Sequence, residues 1–216
     1  MLDERAPDLS LFVDILRTLE TVGAPYMIIG AFAGTVYGIT RVTYDIDIVV
    51  EVSERHIQAL AAAYPPPRYY ADPMQMRDSV RLGIMFNIID TSRGEKADLV
   101  PLTRTSRYRE AFQRRVRQMV DIPGAEPFEV WCARPEDVIV GKLMAWAEGR
   151  SRKHETDIYD MMVFYYLDAD PALSAAFDQA YVDTRARALG VEVHELWEAI
   201  KGAARQEANR TGDYGL

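Results

Sequence analysis

The sequence of 216 residues has few of the features that mark secreted or membrane proteins. Its single cysteine, Cys132, excludes an intrachain disulfide framework and suits a reducing compartment. No apolar run approaches the roughly 18 residues of a membrane-spanning helix. The first ten residues, MLDERAPDLS, lack the basic start and apolar stretch of a secretory signal. We therefore expect a cytoplasmic protein without a membrane partner.

The chain also has little positive charge and few soft metal ligands. Its formal net charge of -8 disfavours a broad basic surface for nucleic acid. Its histidines (His56, His154 and His194) are scattered and the cysteine has no partner, which argues against a zinc site. No G-x-S-x-G nucleophile motif is present.

Hydrophobic periodicity separates a mixed first part from a helical second part. It predicts helices over 8–22, 31–38 and 53–64, strands over 25–30, 44–52 and 127–133, and a β-hairpin over 81–102. Four helices follow, over 135–149, 153–169, 171–189 and 193–208. We expect an α/β (α+β) fold with a core at 1–133. A C-terminal helical domain, 134–216, should pack against it, with a ligand cleft between the two.

Three glycines follow the first predicted strand at a spacing of four residues. That spacing excludes the G-x-G-x-x-G dinucleotide motif, and no lysine follows to make a P-loop. We interpret Gly34 and Gly38 as positions where a helix packs closely against the sheet. Gly30 lies between the strand and the helix, where backbone N–H groups can bind phosphate.

Two aspartates carry the strongest chemical signal. Asp45 and Asp47 alternate with aliphatic residues on one predicted strand, so their side chains share a face about 7 Å apart and repel each other. Asp98 lies on a later strand, on the same face as Lys96. If the two strands are adjacent, three carboxylates converge, and such oxygen ligands suit Mg²⁺ or Mn²⁺ with a triphosphate. The alternative is a solvated strand edge.

These residues together resemble a known superfamily. A strand that ends in glycine, a short helix, the pattern R-x-T-x-D-x-D and a later aspartate resemble the DNA polymerase beta-like nucleotidyltransferases. The matching residues are Gly30, Ala31, Gly38, Arg41, Thr43, Asp45, Asp47 and Asp98. The stretch RPEDVIVGKLMAWAEGRSRKHETDIYDM is similar to the AbiEii-like group, which includes toxins of toxin–antitoxin pairs. Ala31 departs from the usual glycine or serine, and we expect weaker or altered triphosphate contacts there.

The resemblance implies a nucleotidyltransferase fold, with a mixed β-sheet flanked by helices and a helical region after it. It implies an enzyme (2.7.7 type) that moves a nucleoside monophosphate from an NTP, such as ATP, to an acceptor hydroxyl. Asp45, Asp47 and Asp98 would be catalytic and hold the metal ions. The implied nucleotide-binding residues are Gly30, Ala31, Arg41, Thr43, Lys142, Lys153 and Asp157. Otherwise Lys142 is a surface lysine, Lys153 complements a helix dipole, and Asp157 orients a lysine or is solvated.

An arginine-rich stretch follows the third aspartate. Residues 104–117 contain six arginines, with Tyr108 and Phe112 between them. Arginine with aromatic residues suits RNA, and we select Arg107, Arg114 and Arg115 as acceptor-binding candidates. A solvated helix face, or a surface for an acidic partner, would also explain the stretch.

Three functions remain open at this point. The first is a toxin that modifies RNA, most simply tRNA, and is paired with an antitoxin protein. The second is an antibiotic nucleotidyltransferase, since the acidic chain suits a cationic drug such as an aminoglycoside. The third is a non-catalytic nucleotide-binding relative, which only Ala31 motivates.

Overall fold

The computed structural model describes residues 9–40, 43, 45–104, 106–122 and 124–213, without the side chains of residues 212 and 213. The fold is mixed α/β. The chain forms two compact units. The first comprises Met1–Phe32 and Val42–Ala133, and the second comprises Ala33–Arg41 and Arg134–Leu216.

The described part of the first unit contains one mixed sheet and its flanking helices. The strands are β1 (Tyr26–Ile29), β2 (Ile46–Val50), β3 (Tyr69–Tyr70), β4 (Phe86–Asp90), β5 (Glu95–Pro101), β6 (Val116–Val120) and β7 (Phe128–Cys132). The helices are α1 (Ser10–Val22), α3 (Glu54–Ala63), α4 (Pro73–Leu82) and α5 (Arg109–Arg114). Helix α2 (Gly30–Thr35) begins in this unit and ends in the second. The strand order is β3-β4-β5-β2-β1-β7-β6, so β2 lies in the middle.

The predicted patterns of α1 and β2 account for the core of this unit. The apolar stripe of α1 is buried, and the helix ends at Gly23 in the left-handed conformation. Ile46 and Ile48 form the fully buried face of β2. Val49 shares the side of Asp45 and Asp47 but is also fully buried. The polar side of this strand is therefore limited to its first residues.

The stretch between α3 and β4 differs from the expected loop and strand. It contains β3 and the helix α4, which starts with Asp72 accepting the N–H of Met74 and ends at Gly83. Of the α4 residues, only Met76 and Ser79 are buried, so the helix shows almost no apolar stripe. Because α4 extends to Leu82, the strand predicted from residue 81 begins at Phe86.

The described part of the second unit is helical. Its helices are α6 (Pro135–Gly149), α7 (Arg152–Tyr166), α8 (Pro171–Ala176), α9 (Gln179–Leu189) and α10 (Val191–Asp213). The helix predicted over 171–189 is thus two helices, because the Asp178 side chain accepts the N–H of Tyr181 and starts a new one. No helix of the described chain has the length and apolar character needed to cross a bilayer.

The P-E-D sequence at the start of α6 serves packing within this unit. The buried Glu136 accepts the backbone N–H of Asp178 at 2.7 Å, and the Tyr181 hydroxyl lies 3.1 Å from an Asp137 oxygen. These contacts join the start of α6 to the start of α9.

The glycines after β1 allow close packing, but not against the sheet. A Cβ on Gly34 would lie 2.1 Å from Ile39 Cδ1, and one on Gly38 would lie 2.4 Å from Phe164 Cβ. Gly38 follows the end of α2 in a turn, with a φ of +97°. The predicted packing of a helix against the sheet is therefore wrong at both positions, although a Cβ would meet a close neighbour at each.

We predict that Gly38→Ala destabilises the protein by about 2 kcal/mol or more, because a positive φ costs an L-residue about 1–2 kcal/mol and the methyl overlaps Phe164. Urea unfolding would measure the loss. Gly141→Ala is the matched control, since nothing lies within 4 Å of a Cβ there. Because Gly141 lies in the interior of α6, this change should raise the free energy of unfolding by up to about 1 kcal/mol. Equal unfolding midpoints for the two variants would contradict the packing assignment.

Candidate active site

The candidate site is built on the parallel pairing of β2 with β5. Ile46 lies opposite Ala97, and Asp47 lies opposite Asp98. Opposite residues of neighbouring strands project to the same face, so Asp47 and Asp98 are neighbours there. Asp45 precedes Ile46 and Lys96 precedes Ala97, which places these two side by side as well. The adjacency that the three-carboxylate prediction required is therefore present.

Asp98 is held by two side chains from the sheet. Asn87 lies opposite it on β4, and its amide donates to Oδ1 at 2.5 Å. The Lys96 ammonium donates to both oxygens, at 3.0 Å to Oδ1 and 2.9 Å to Oδ2. Asp98 itself is 8% exposed, so these charge-assisted bonds compensate for lost hydration.

Lys96 also reaches a second carboxylate. Its Nζ lies 3.7 Å from Asp45 Oδ1. The hydrogen bond to Asp98 raises the pKa of Lys96, and the charges of Asp98, Asp45 and Asp47 act in the same direction. One ammonium therefore interacts with all three predicted carboxylates. The sequence contained the signal for this, since Lys96 is two residues before Asp98, but the residue pattern alone did not mark Lys96 as a site residue.

Gly30 makes room for the third carboxylate. It has a φ of +70°, and a Cβ built on it would lie 2.3 Å from Asp47 Oδ2. The Asp47 carboxylate thus lies against the backbone where β1 meets α2. Ala31 is the second residue of α2, a helix of six residues. Thr43 donates from its hydroxyl to the Asp45 carbonyl at 3.0 Å, and Arg41 lies outside the described residues.

The carboxylate oxygens suit a hard divalent cation in their chemistry. Three carboxylates face one region, and one cationic group already contacts two of them. In the part of the chain that the structure describes, no group of three or more His, Cys, Asp or Glu side chains lies close enough together to hold a metal ion. The Lys96 ammonium is the cation that joins Asp45 and Asp98.

The nucleotide-binding candidates of the helical region belong to the second unit. Lys142 on α6 is 5% exposed, so the surface alternative for it is wrong. Its ammonium lies 2.6 Å from Oδ2 of Asp157 on α7, which is fully buried. Asp157 thus orients Lys142, one of the alternatives for this residue. Lys153 is exposed near the start of α7.

The arginine-rich stretch is only partly available to a ligand. The Arg115 guanidinium lies 4.2 Å from the Phe112 ring and 4.8 Å from the Trp131 ring, and it donates to the Phe112 carbonyl. Burial lowers the pKa of Arg115. Arg114 is half-buried, whereas Arg107 is exposed and lies 5.2 Å from the Tyr108 ring. Only residues 109–114 of the stretch form a helix, α5, and β6 follows it.

Comparison with known families identifies the chemistry. The model of the nucleotidyl transferase AbiEii toxin of type IV toxin–antitoxin systems matches residues 97–213, more than half of the chain. The chain belongs to the AbiEii nucleotidyltransferase toxin family. AbiEii membership confirms the resemblance and makes the protein a nucleotidyltransferase of a toxin–antitoxin family. The matched range includes Asp98, Lys142, Lys153 and Asp157, and it begins after Asp45 and Asp47.

Solved structures of low similarity accompany this AbiEii match. JHP933 from Helicobacter pylori is 13% identical, with 96% of each chain covered and a TM-score of 0.40. The antibiotic-resistance factor ANT(2'')-Ia is 15% identical, with 95% of each chain covered and a TM-score of 0.42. An antigenic nucleotidyltransferase-like protein from Paracoccidioides brasiliensis is 21% identical, covering 74% of this chain and 76% of that one, with a TM-score of 0.46. No curated protein matches the chain.

We predict that Lys142→Met lowers the free energy of unfolding by about 3–5 kcal/mol, because it leaves the buried Asp157 carboxylate without its ammonium partner. The double variant Lys142→Met with Asp157→Leu should lose much less than the sum of the single changes. Urea unfolding of the wild type, the two single variants and the double variant gives the coupling free energy between Lys142 and Asp157. Arg81→Met is the control, since the exposed Arg81–Asp78 pair should contribute less than about 1 kcal/mol. Additive losses in the cycle would show that Lys142 and Asp157 do not depend on each other.

Proposed function

We propose that the protein transfers a nucleoside monophosphate from an NTP to a hydroxyl of RNA, most simply tRNA, in a reaction that depends on Mg²⁺ or Mn²⁺. The observation that supports it most is the register that sets Asp47 beside Asp98, with Asp45 next to the same Lys96 ammonium. Carboxylates do not gather on one sheet face for packing, because they repel each other and lose hydration. Binding of a polyvalent cation and a triphosphate would explain this arrangement.

The carboxylates have two tasks in this proposal. Asp45, Asp47 and Asp98 would hold the divalent cations, which would supply positive charge to orient the triphosphate, and Asp98 would accept the proton of the attacking hydroxyl. The bond between the α-phosphorus and the bridging oxygen breaks as the acceptor oxygen bonds to phosphorus, and pyrophosphate leaves with the electron pair. The bound divalent cations would stabilise the charge on the attacking and leaving oxygens.

The triphosphate would approach the turn at Gly30 and Ala31. Because the Asp47 carboxylate lies against Gly30, a phosphate reaches these N–H groups only when a cation offsets the carboxylate charge. Nucleotide and metal binding are therefore coupled in this proposal. We also assign Arg41 and Thr43 to the nucleotide, on the basis of the AbiEii resemblance.

The acceptor assignment rests on the exposed end of the arginine-rich stretch. Arg104 and Arg107 are exposed, and the aromatic ring of Tyr108 lies beside Arg107. Guanidinium groups beside an aromatic ring suit the phosphates and bases of single-stranded RNA. Arg114 and Arg115 would support this surface rather than form its outer part, since they are half-buried. We further propose that the protein binds an antitoxin protein.

We predict label transfer to tRNA when the purified protein is incubated with Mg²⁺ and one of the four α-labelled NTPs. Asp45→Asn and Asp98→Asn should each reduce transfer by about 100-fold or more, since the lost stabilisation of the transition state is several kcal/mol and each tenfold in rate is about 1.4 kcal/mol. Scintillation counting of gel-purified RNA measures the product. Chelation with EDTA should stop the reaction.

Asp78→Asn is the matched control, because Asp78 is an exposed carboxylate of the same unit whose side chain pairs with the exposed Arg81 on α4. It should retain full transfer. Absence of label on any RNA with every NTP would overturn the RNA proposal. Label on an aminoglycoside in a parallel reaction would identify an antibiotic-modifying enzyme instead. Nucleotide binding without any transfer would identify a non-catalytic relative.

A further inference from the structure

Lys96 completes a rectangle of charged side chains on one face of the sheet. Asp47 lies on β2 and Asp45 comes directly before that strand, whereas Lys96 and Asp98 lie on β5. Residues two apart on a strand share a face, so all four side chains lie on the same side. The register sets Asp98 beside Asp47, and the distance of 3.7 Å from Lys96 Nζ to Asp45 Oδ1 sets Lys96 beside Asp45.

The Lys96 ammonium uses the same oxygens that a divalent cation would require. Its Nζ is 2.9 Å from Asp98 Oδ2, 3.0 Å from Asp98 Oδ1 and 3.7 Å from Asp45 Oδ1. Ligand oxygens lie about 2.1 Å from Mg²⁺, so an ion bound to Asp45 and Asp98 cannot share this position with the ammonium. A cation that enters must displace Lys96 from Asp98.

The Lys96 side chain can leave without any movement of the sheet. It is 43% exposed, whereas the Asp98 side chain is 11% exposed and is also held by Asn87. The lysine arm has several rotatable bonds, and its ammonium is strongly hydrated when it reaches water. The carboxylate is thus the fixed partner of the pair, and the ammonium is the movable one.

The charge of the rectangle limits what can bind to it. Three carboxylates and one ammonium give a formal charge of -2, which a single divalent cation would neutralise. A second divalent cation would bring a surplus of positive charge unless phosphates arrive with it. Without Lys96 the formal charge of the three carboxylates would be -3, and the first cation would not compete with the Lys96 ammonium.

We propose that Lys96 is an internal counter-cation that competes with divalent metal for Asp45 and Asp98 and so makes metal binding depend on the nucleotide. This inference rests on the proposed metal-dependent transfer and assigns a specificity-determining role within it. The lysine weakens binding of a metal ion alone. The metal–nucleotide complex overcomes this competition, because the displaced ammonium can then approach the added phosphate charge.

Titration with Mn²⁺, with free ion followed by electron paramagnetic resonance, tests this inference without measuring activity. Wild type and Lys96→Met are compared with and without a non-hydrolysable NTP analogue. In the absence of the analogue, Lys96→Met should bind Mn²⁺ about tenfold more tightly than wild type, since one positive charge a few ångströms away is removed. With the analogue present, the difference should shrink to about threefold or less.

Three further variants make the comparison specific. Arg81→Met removes one positive charge from an exposed pair of the same unit, and its Mn²⁺ affinity should stay within about twofold of wild type. Asp98→Asn should lose the analogue-dependent binding. Lys96→Gln repeats the main comparison with a polar neutral side chain, in case the methionine alters folding.

The outcomes separate the two proposals. Equal Mn²⁺ affinity of wild type, Lys96→Met and Lys96→Gln, with binding that still needs Asp98, overturns the role of Lys96 and leaves the metal-dependent transfer intact. Loss of analogue affinity in the Lys96 variants with unchanged Mn²⁺ affinity would make Lys96 a phosphate ligand and also overturn the inference. No Mn²⁺ binding by any protein, even with the analogue, would overturn the proposed function itself.

Discussion

The candidate site depends on one structural constraint, the register between β2 and β5. Side chains alternate along a strand, so a slip of one residue would turn Asp98 away from Asp47. The apolar side of the sheet fixes this register, because the same slip would replace Ile46, Ile48 and Leu99 in the core with charged side chains. The carboxylates are therefore positioned by the burial of their aliphatic neighbours, and the electrostatic repulsion between them is overcome by the core.

The sheet also supplies the groups that make this arrangement tolerable. Asn87 comes from β4 and Lys96 from β5, and both donate to the least exposed of the carboxylates. Gly30, the first residue after β1, lacks the side chain that would collide with Asp47. Residues of β4, β5 and the turn after β1 thus surround the aspartates, although only the aspartates were conspicuous in the chain. The AbiEii family model matches residues 97–213, which include Asp98. The pairing of β5 with β2 connects Asp98 to Asp47, which lies before the matched range.

The sequence predictions were accurate where the burial of one side of an element produces a clear local pattern of apolar residues. The α1 stripe and the alternation of β2 are strong because one side of each element is buried, and both elements form as predicted. Helix α4 was missed because it buries almost nothing, so its signal is confined to the Asp72 cap and Gly83. Lys142 was ambiguous because a lysine between apolar residues can turn outward. Its burial depends on Asp157, fifteen residues later in another helix.

The sequence by itself determined the fold class and the AbiEii resemblance, and it identified the three carboxylates as candidate site residues. These conclusions depend on residue type and short-range spacing. The tertiary structure decided which groups surround them, because strand pairing joins residues that are distant in the chain. It set Asp98 beside Asp47, brought Asn87 to Asp98 and placed the Lys96 ammonium between two carboxylates. It also directed Arg115 onto Phe112 and Trp131, a use of positive charge that composition cannot distinguish from a solvated surface.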